Sequence, residues 1–373
     1  MSKHMTVTAR LTAKAPPRPV VHGVVRTRRF LQRLADRLVP ADIAVFERSV
    51  GLAATMVLGT LADLGIAELL AAGPAPAREL ATRTGTDPDA LHRLLRAAAS
   101  QGFVGLDKRG RFRANRFTKV LRAKGNPHEL NAWCRYISAP STVDAWQDLR
   151  RTLDDGRNAF RRIHGMSTWE WFATHPDEER TFAAAMRGLT EQEAPGIVAA
   201  YPWPHTGTLC DIAGGAGTLV GHILQARPRL RGIVVDATRV LAEADSHLRR
   251  VGVRERVDLV PGDIFGALDA TADVYVMKNV LHDWDDAACA RILGGVAATM
   301  PRGSRLVVME ASLERNEPHP FAAVADIQMM VICEEGRERS VDELRALVHG
   351  AGLTPAAVRT TATDLALLEA TKP

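Results

Sequence analysis

Ionisable side chains recur at the ends of five predicted strands in the second half of the chain. They are Asp211, Asp236, Asp263, Lys278, His282 and Glu310. The carboxyl ends of parallel strands lie side by side at one edge of an open sheet, and ligands bind at that edge. Helix capping also places carboxylates after strands, and it accounts for one or two of these positions more readily than for all of them. The set therefore predicts one ligand site that several strands share.

A glycine-rich loop, Ile212-Ala-Gly-Gly-Ala-Gly217, follows the first of these strands. Glycine lets the backbone approach a nucleotide closely. The dinucleotide motif requires another glycine where this chain has Val220, and no P-loop motif is present. A carboxylate after the second strand, here Asp236, suits the two hydroxyls of a ribose. The pattern favours an adenosine cofactor that has no pyrophosphate.

The sequence around these positions alternates between strand and helix patterns. We predict strands at 208–212, 232–235, 257–260, 274–277 and 305–309, with helices between them, and a final strand pair at 356–359 and 365–370. Repeated strand–helix units require a parallel sheet with right-handed crossovers. The predicted fold class is therefore α/β.

The first half of the chain has a helical pattern, with apolar residues at helical spacing from residue 28 to residue 72. A helix at 77–84, a second helix after Asp89 and a hairpin at 102–113 outline a winged helix. Aromatic residues gather within 119–200, where they either form a core or line a pocket for a flat substrate. We predict a disordered basic tail at 1–19, a winged-helix-like domain at 20–118, a helical linker at 119–200 and a sheet domain at 201–373.

Composition and charge exclude several classes of protein. The 373 residues are 46% hydrophobic and 24% charged, which is typical of globular proteins. The net charge of +5 is concentrated in residues 1–50, where ten Lys and Arg accompany three acidic residues. Four cysteines without a CxxC pair predict reduced thiols and a cytoplasmic location. The longest uncharged apolar stretch, 49–62, is too short to cross a bilayer, so we expect no membrane association.

Five motifs follow one another in an order that resembles a known family. They are Asp211–Gly217, Asp236, Gly262–Phe265, Val274–Asp286 and Gly336–Ser340. Over about residues 40–373 the chain is similar to S-adenosylmethionine-dependent O-methyltransferases of the caffeic-acid and hydroxyneurosporene type, which include bacterial enzymes of natural-product biosynthesis. The resemblance implies a Rossmann-like class I methyltransferase sheet with an antiparallel last strand, a winged-helix-like dimerisation domain and a homodimer. It also implies S-adenosylmethionine as cofactor, no metal and a small hydroxylated substrate.

The resemblance also implies roles for individual residues. The cofactor site would comprise Asp211, Gly214, Gly215, Gly217, Asp236, Asp263, Ile264 and Lys278. His282 matches the general base of the family, with Glu310 and Glu338 as the flanking acids. Ala213 departs from the pattern, because the family usually has a glycine there. The candidates for the acceptor pocket are Trp133, Trp169, Met186, Asp326 and Met330.

A histidine base suits methyl transfer to a phenolic oxygen. A phenol has a pKa of about 10 and histidine one of about 6.5, so complete proton transfer before attack costs roughly 5 kcal/mol. A base that takes the proton while the C–O bond forms avoids most of that cost. A carboxylate on the other imidazole nitrogen, from Glu310 or Glu338, would fix the tautomer of His282 and stabilise its charged form.

Other interpretations of the sequence stay open. His282 also fits a structural role, and Asp285 and Asp286 fit a helix start. The same fold and cofactor also serve N-methylation, hydroxylation, decarboxylation or a pericyclic step. The winged-helix outline and basic first residues fit a nucleic-acid binder, although the helix at 89–100 offers little base-reading chemistry. We expect an enzyme with no nucleic-acid partner.

Overall fold

The computed structural model describes residues 18–123, 130–314, 320–363 and 365–373. The chain divides into two compact units. The helical unit comprises Gly23–Asp144 and Trp169–Gln192, and the sheet unit comprises Ala145–Thr168 and Glu193–Pro373 together with residues 18–22. The predicted tail at 1–19 lies outside the described residues except for Arg18 and Pro19, which begin a helix.

Most of the first half of the chain is helical, as predicted. The helices are α1 (Arg18–Arg37), α2 (Ala41–Ser49), α3 (Gly51–Asp63), α4 (Ile66–Ala71), α5 (Ala77–Thr84), α6 (Pro88–Ser100), α7 (Arg116–Val120), α8 (Leu130–Ile137), α9 (Pro140–Gln147), α10 (Leu149–Asp155), α11 (Ala159–His164), α12 (Thr168–Thr174) and α13 (Pro176–Ala200). Strands β1 (Gly105–Leu106) and β2 (Phe112–Arg113) pair between α6 and α7. The segment 119–200, predicted as one linker, is shared between the two units. The predicted domain boundaries stay a prediction.

The predicted helix pair and hairpin are confirmed, and local signals explain their ends. Gly85 ends α5 with a left-handed φ of 68°, which glycine adopts without steric cost. The Asp87 side chain accepts a hydrogen bond from the Ala90 N–H at 2.8 Å, and Pro88 is the first residue of α6. The buried Phe112 of the hairpin packs against leucines of α5 and α6.

The first three helices expose a large apolar surface. It includes Phe30, Leu31, Leu34, Phe46 and Leu52. The run Ala41–Asp63 has the length and mean hydropathy of a membrane-spanning helix, and no other described run meets both criteria. It is longer than the apolar stretch found in the sequence because it includes charged residues such as Glu47. Exposed apolar side chains in this number favour a contact site for another surface.

A seven-stranded sheet organises the sheet unit. Its strands are β3 (Thr206–Ile212), β4 (Arg229–Asp236), β5 (Val257–Pro261), β6 (Val274–Lys278), β7 (Arg305–Ala311), β8 (Thr354–Thr360) and β9 (Leu365–Thr371), and the helices that follow α13 are α14 (Thr218–Ala226), α15 (Thr238–Arg250), α16 (Asp286–Thr299), α17 (Pro320–Ile332) and α18 (Val341–Gly350). The strand order is β5-β4-β3-β6-β7-β9-β8. Strands β3 to β7 pair in parallel, and β9 pairs antiparallel with β7 and β8.

The mostly parallel sheet with an antiparallel last strand is therefore confirmed. Some strands begin earlier than predicted. Strand β4 begins at Arg229 and not at residue 232, and its first residues alternate between exposed and buried, as in a strand with one solvated face. The strand order turns at β3, whose neighbours are β4 on one side and β6 on the other. A switch point of this kind opens a crevice at the carboxyl ends of the strands, and ligands bind there.

Candidate active site

The loop between β3 and α14 approaches its own strand so closely that one position accepts only glycine. A Cβ atom at Gly214 would lie 2.8 Å from the Cγ atom of Asp211. Gly215 and Gly217 have φ values of 56° and 69°, in the left-handed region. Ala213 has a φ of 55°, so the alanine that departs from the family pattern adopts a conformation that glycine takes more easily.

Asp236 braces this loop from the end of β4. One carboxylate oxygen accepts a hydrogen bond from the Gly215 N–H at 2.8 Å, and the other accepts one from the Ala237 N–H at 2.7 Å. Asp263, which follows β5, accepts a hydrogen bond from the Phe265 N–H at 2.9 Å. The structure thus brings the predicted acids to the ends of adjacent strands, with their carboxylates ordering the loops there.

Asp211 is a buried acid whose charge is only partly compensated. Its Oδ2 atom has no hydrogen-bond partner among the described residues. Burial raises the pKa of Asp211 to about 7, with a further rise from Asp236 and an opposing effect of Lys278. An orphaned carboxylate oxygen beside a glycine cradle fits a cationic group of a bound cofactor, such as the amino group or sulfonium of S-adenosylmethionine.

A second cluster of polar side chains is centred on His282, which lies on a short turn after β6. The 3₁₀ turn Leu281–Asp283 presents His282, whose side chain is 15% exposed. Glu310, at the end of β7, accepts hydrogen bonds from the backbone N–H groups of Val280 at 3.1 Å and Leu281 at 2.9 Å. The buried Glu310 therefore orders the backbone that carries the histidine.

Three carboxylates surround the His282 ring. Its Nδ1 atom lies 2.9 Å from Glu338 Oε1 and 3.8 Å from Glu310 Oε2. Its Nε2 atom lies 3.6 Å from Asp283 Oδ1. The three predicted catalytic residues are thus in one cluster. Asp283 is a fourth member, which is absent from the predicted set although it is the next residue after His282.

The carboxylates decide the charge of this histidine. Burial lowers the pKa of His282, but the carboxylates, chiefly Asp283 and Glu338, outweigh burial and raise it to about 10. Burial raises the pKa of Glu310 to about 7 against the opposing effect of His282. The cluster can therefore hold a proton on the imidazole or on a carboxyl group, and it stabilises the imidazolium strongly.

The segment Gly336–Ser340 packs tightly against the turn Leu281–Asp283 that carries His282. The Arg339 guanidinium, which is almost fully buried, donates to the carbonyl oxygens of Leu281 and Trp284, each at 2.7 Å. A Cβ atom at Gly336 would lie 2.3 Å from the His282 carbonyl oxygen, so only glycine allows this approach. The two most specific motifs of the sequence are therefore parts of one structure. Arg339 was missed because nothing in the sequence distinguishes it from Arg337.

The same cluster offers ligands of types that bind metal ions. One atom each of His282, Glu310 and Glu338 lies within 4.8 Å of the other two. The histidine hydrogen bond to Glu338 already satisfies one of these atoms. The absence of a metal stays a prediction.

The candidate acceptor residues fall into two groups. Trp133, Trp169 and Met186 pack in one aromatic cluster of the helical unit. Asp326 and Met330 lie on α17 in the sheet unit, where Asp326 Oδ1 accepts a hydrogen bond from the Glu338 N–H at 2.8 Å. The role of all five in acceptor binding stays a prediction.

Comparisons with known proteins agree with this geometry. The family described as the O-methyltransferase domain matches residues 146–354, and the one described as the O-methyltransferase dimerisation domain matches residues 46–123. The chain belongs to the O-methyltransferase family. The resemblance inferred from the sequence motifs is thereby confirmed, and the protein is an S-adenosylmethionine-dependent O-methyltransferase.

Three similar proteins illustrate how far the likeness extends. The phenazine O-methyltransferase PhzM of Lysobacter antibioticus is 33% identical over 332 residues, which cover 89% of this chain and 96% of that protein. The mitomycin biosynthesis 6-O-methyltransferase of Streptomyces lavendulae is 35% identical over 293 residues, with 78% and 83% covered. The solved structure of NcsB1 from neocarzinostatin biosynthesis, in complex with S-adenosyl-L-homocysteine and 1,4-dihydroxy-2-naphthoic acid, has a TM-score of 0.74 and 29% identity, with 86% of this chain and 96% of that chain covered.

Proposed function

We propose that this O-methyltransferase methylates a phenolic hydroxyl of a small aromatic natural product, with His282 as the general base. The observation that carries the proposal is the 2.9 Å contact between His282 Nδ1 and Glu338 Oε1. It holds the ring by Nδ1, so Nε2 is the nitrogen that would receive a proton when the imidazole is neutral. The phenazine and dihydroxynaphthoic acid named for the two relatives are both flat aromatic molecules, which supports this class of acceptor.

The carboxyl ends of β3, β4 and β5 are the proposed cofactor site. S-adenosylmethionine supplies a methyl group on a sulfonium, which is already activated for transfer. Asp236 would hold the ribose hydroxyls, and Asp263 and Ile264 would meet the adenine. The glycines of the β3–α14 loop let the backbone approach, and Asp211 and Lys278 would face the methionine end. The orphaned oxygen of Asp211 supports this placement.

The proton step rests on the histidine cluster. In its neutral form, His282 would accept the proton of the acceptor hydroxyl on Nε2 while the hydroxyl oxygen displaces the sulfur from the methyl carbon. The carboxylates of Asp283, Glu338 and Glu310 would stabilise the imidazolium that forms. The pKa of His282 is raised to about 10, which is close to that of a phenol. Proton transfer from a phenol to the neutral imidazole therefore has a free energy near zero. Alignment of the acceptor oxygen behind the methyl group contributes the rest of the acceleration, roughly 7–11 kcal/mol in favourable cases.

A homodimer is the proposed assembly, in the cytoplasm. The exposed apolar surface of α1 to α3 overlaps the matched dimerisation domain, which begins at residue 46. A second copy of the chain that covers this surface would remove its phenylalanine and leucine side chains from water, which is favourable by about 25 cal/mol per Å². We propose no nucleic-acid partner and no membrane partner.

A methylation assay tests the assignment of the base. We expect His282→Ala to lower kcat by at least about 100-fold for a hydroxylated aromatic acceptor, which is the usual contribution of a general base, and to leave the affinity for S-adenosylmethionine within about threefold. The matched control is His349→Ala, because His349 is exposed on α18. Near-normal turnover by His282→Ala would reject the base, and methylation of amines but not of hydroxyls would favour the N-methylation alternative.

A further inference from the structure

A mostly buried ion pair lies beside the proposed cofactor site and takes no part in the proton step. Lys278 Nζ lies 2.8 Å from Glu193 Oε2. The Lys278 side chain is 8% exposed and that of Glu193 is 23% exposed. The family resemblance implies a cofactor role for Lys278 and none for Glu193, so the acid is an unexplained charge at this edge of the sheet.

Register places the ion pair on the same face of the sheet as Asp211. Asp211 of β3 lies opposite Val276 of β6. Side chains alternate along a strand, so Lys278, two residues after Val276, points to the face that Asp211 occupies. The end of α13 packs on this face through Ile197, which brings Glu193 against Lys278.

The ion pair matters because the cofactor and its product differ in charge. S-adenosylmethionine carries a sulfonium and has a net charge of about +1 at neutral pH, whereas S-adenosylhomocysteine has a neutral sulfur and no net charge. An ammonium group near the site repels the cofactor more than the product unless an anion neutralises it. Charges that are partly shielded from water interact several times more strongly than exposed ones.

We propose that Glu193 is a positioning residue that neutralises and holds Lys278, and that it thereby shifts the relative affinity of the site towards S-adenosylmethionine and away from S-adenosylhomocysteine. The inference rests on the proposed placement of the cofactor beside Asp211 and Lys278. Its functional consequence is relief of product inhibition, because an enzyme that binds its product as tightly as its cofactor slows as product accumulates.

Calorimetric titration of the full chain with each ligand tests the proposal. We expect Glu193→Gln, which keeps the size of the side chain, to change the ratio of the affinity for S-adenosylmethionine to that for S-adenosylhomocysteine. The ratio should fall about tenfold, which corresponds to about 1.4 kcal/mol. The double variant Glu193→Gln with Lys278→Met removes both charges and is expected to restore the ratio to within about twofold of the original. A merely structural ion pair would not give this restoration.

The matched control is Asp258→Asn, because Asp258 is an exposed acid at the amino end of β5, 3.8 Å from Arg231. It loses the same charge and should leave the ratio unchanged. An unchanged ratio in Glu193→Gln, or a fall that the double variant does not restore, overturns the proposal. If Glu193→Gln does not fold, Lys278→Met alone tests the proposal. It should raise the affinity for S-adenosylmethionine relative to that for S-adenosylhomocysteine, and an unchanged or lower relative affinity overturns the proposal.

A further variant separates this inference from the cofactor placement on which it depends. Asp211→Asn is expected to weaken both ligands. Normal binding of both ligands to Asp211→Asn contradicts the placement itself. Weakened binding to that variant, together with an unchanged ratio in Glu193→Gln, contradicts only the role of Glu193.

Discussion

Arg339 donates a hydrogen bond to the backbone carbonyl oxygen of Leu281 at 2.7 Å, with its guanidinium almost completely buried. The bond joins the loop that carries Glu338 to the turn that carries His282. This buried side chain thus ties Glu338 to His282, and its charge is satisfied by carbonyl oxygens and by Asp286 at 2.8 Å.

Loss of this arginine is expected to damage both stability and turnover. Arg339→Met removes the guanidinium donors of the Leu281 and Trp284 carbonyl oxygens and the buried partner of Asp286. We therefore expect the free energy of unfolding to fall by about 2–4 kcal/mol and kcat to fall more than the affinity for S-adenosylmethionine. Denaturant unfolding and steady-state kinetics measure the two effects. Arg337→Met is the control, since Arg337 is 40% exposed and pairs with the same Asp286, and a surface ion pair contributes under about 1 kcal/mol.

The pH dependence of turnover reports the charge of His282. If His282 is the base, as proposed, it must lose its proton to act, and its pKa is raised to about 10. We therefore expect kcat/KM to increase with pH across the neutral and alkaline range. Glu338→Gln removes one carboxylate that stabilises the imidazolium, so the pKa of His282 falls and the increase should occur at lower pH, with a lower plateau because the ring is less well held. The exposed Glu314→Gln serves as control, and an unshifted midpoint in Glu338→Gln would contradict the coupling.

Ala213 in the β3–α14 loop is expected to be a source of strain. Ala213→Gly removes a Cβ atom from a residue with a φ of 55°, so we expect the free energy of unfolding to rise by about 0.5–1 kcal/mol after the entropic cost of glycine. Ala216 lies in the same loop but outside the left-handed region, so Ala216→Gly should lower the free energy of unfolding. Denaturant titration compares the two, and equal destabilisation by both would show that Ala213 is not strained.

The apolar surface of the first helices is expected to hold a dimer together. Replacing two of its exposed side chains, Phe46→Glu with Leu52→Glu, places charges where a second copy would bury apolar area, so we expect the dimer to dissociate to monomers. Light scattering after size exclusion measures the mass. Leu153→Glu on α10, where the leucine is 63% exposed, is the control. A monomeric unmodified protein would contradict the proposed assembly.

Local patterns predicted the fold more fully than they predicted the site. The strand–helix alternation gave every strand of the sheet, and turn residues such as Gly85 and Asp87 marked helix ends, because these signals depend on neighbours in the chain. Glu193 and Arg339 escaped notice because their partners, Lys278 and Leu281, are distant in sequence, and an isolated acid or arginine looks the same on a solvated surface.

The sequence by itself determined the α/β class, since the periodicity of strands and helices is a property of the chain. Its motifs also carried the resemblance to the family, and that resemblance implied His282, Glu310 and Glu338 as the residues of interest. The tertiary structure alone decided that Glu338 and not Glu310 bonds the imidazole and that Asp283 also lies beside the ring. It also decided that Arg339 binds the backbone of the histidine turn and that Glu193 pairs with Lys278. These contacts arise from register and close packing between segments that are far apart in sequence, and hydrogen bonds and burial depend on distances in space that the order of residues does not specify.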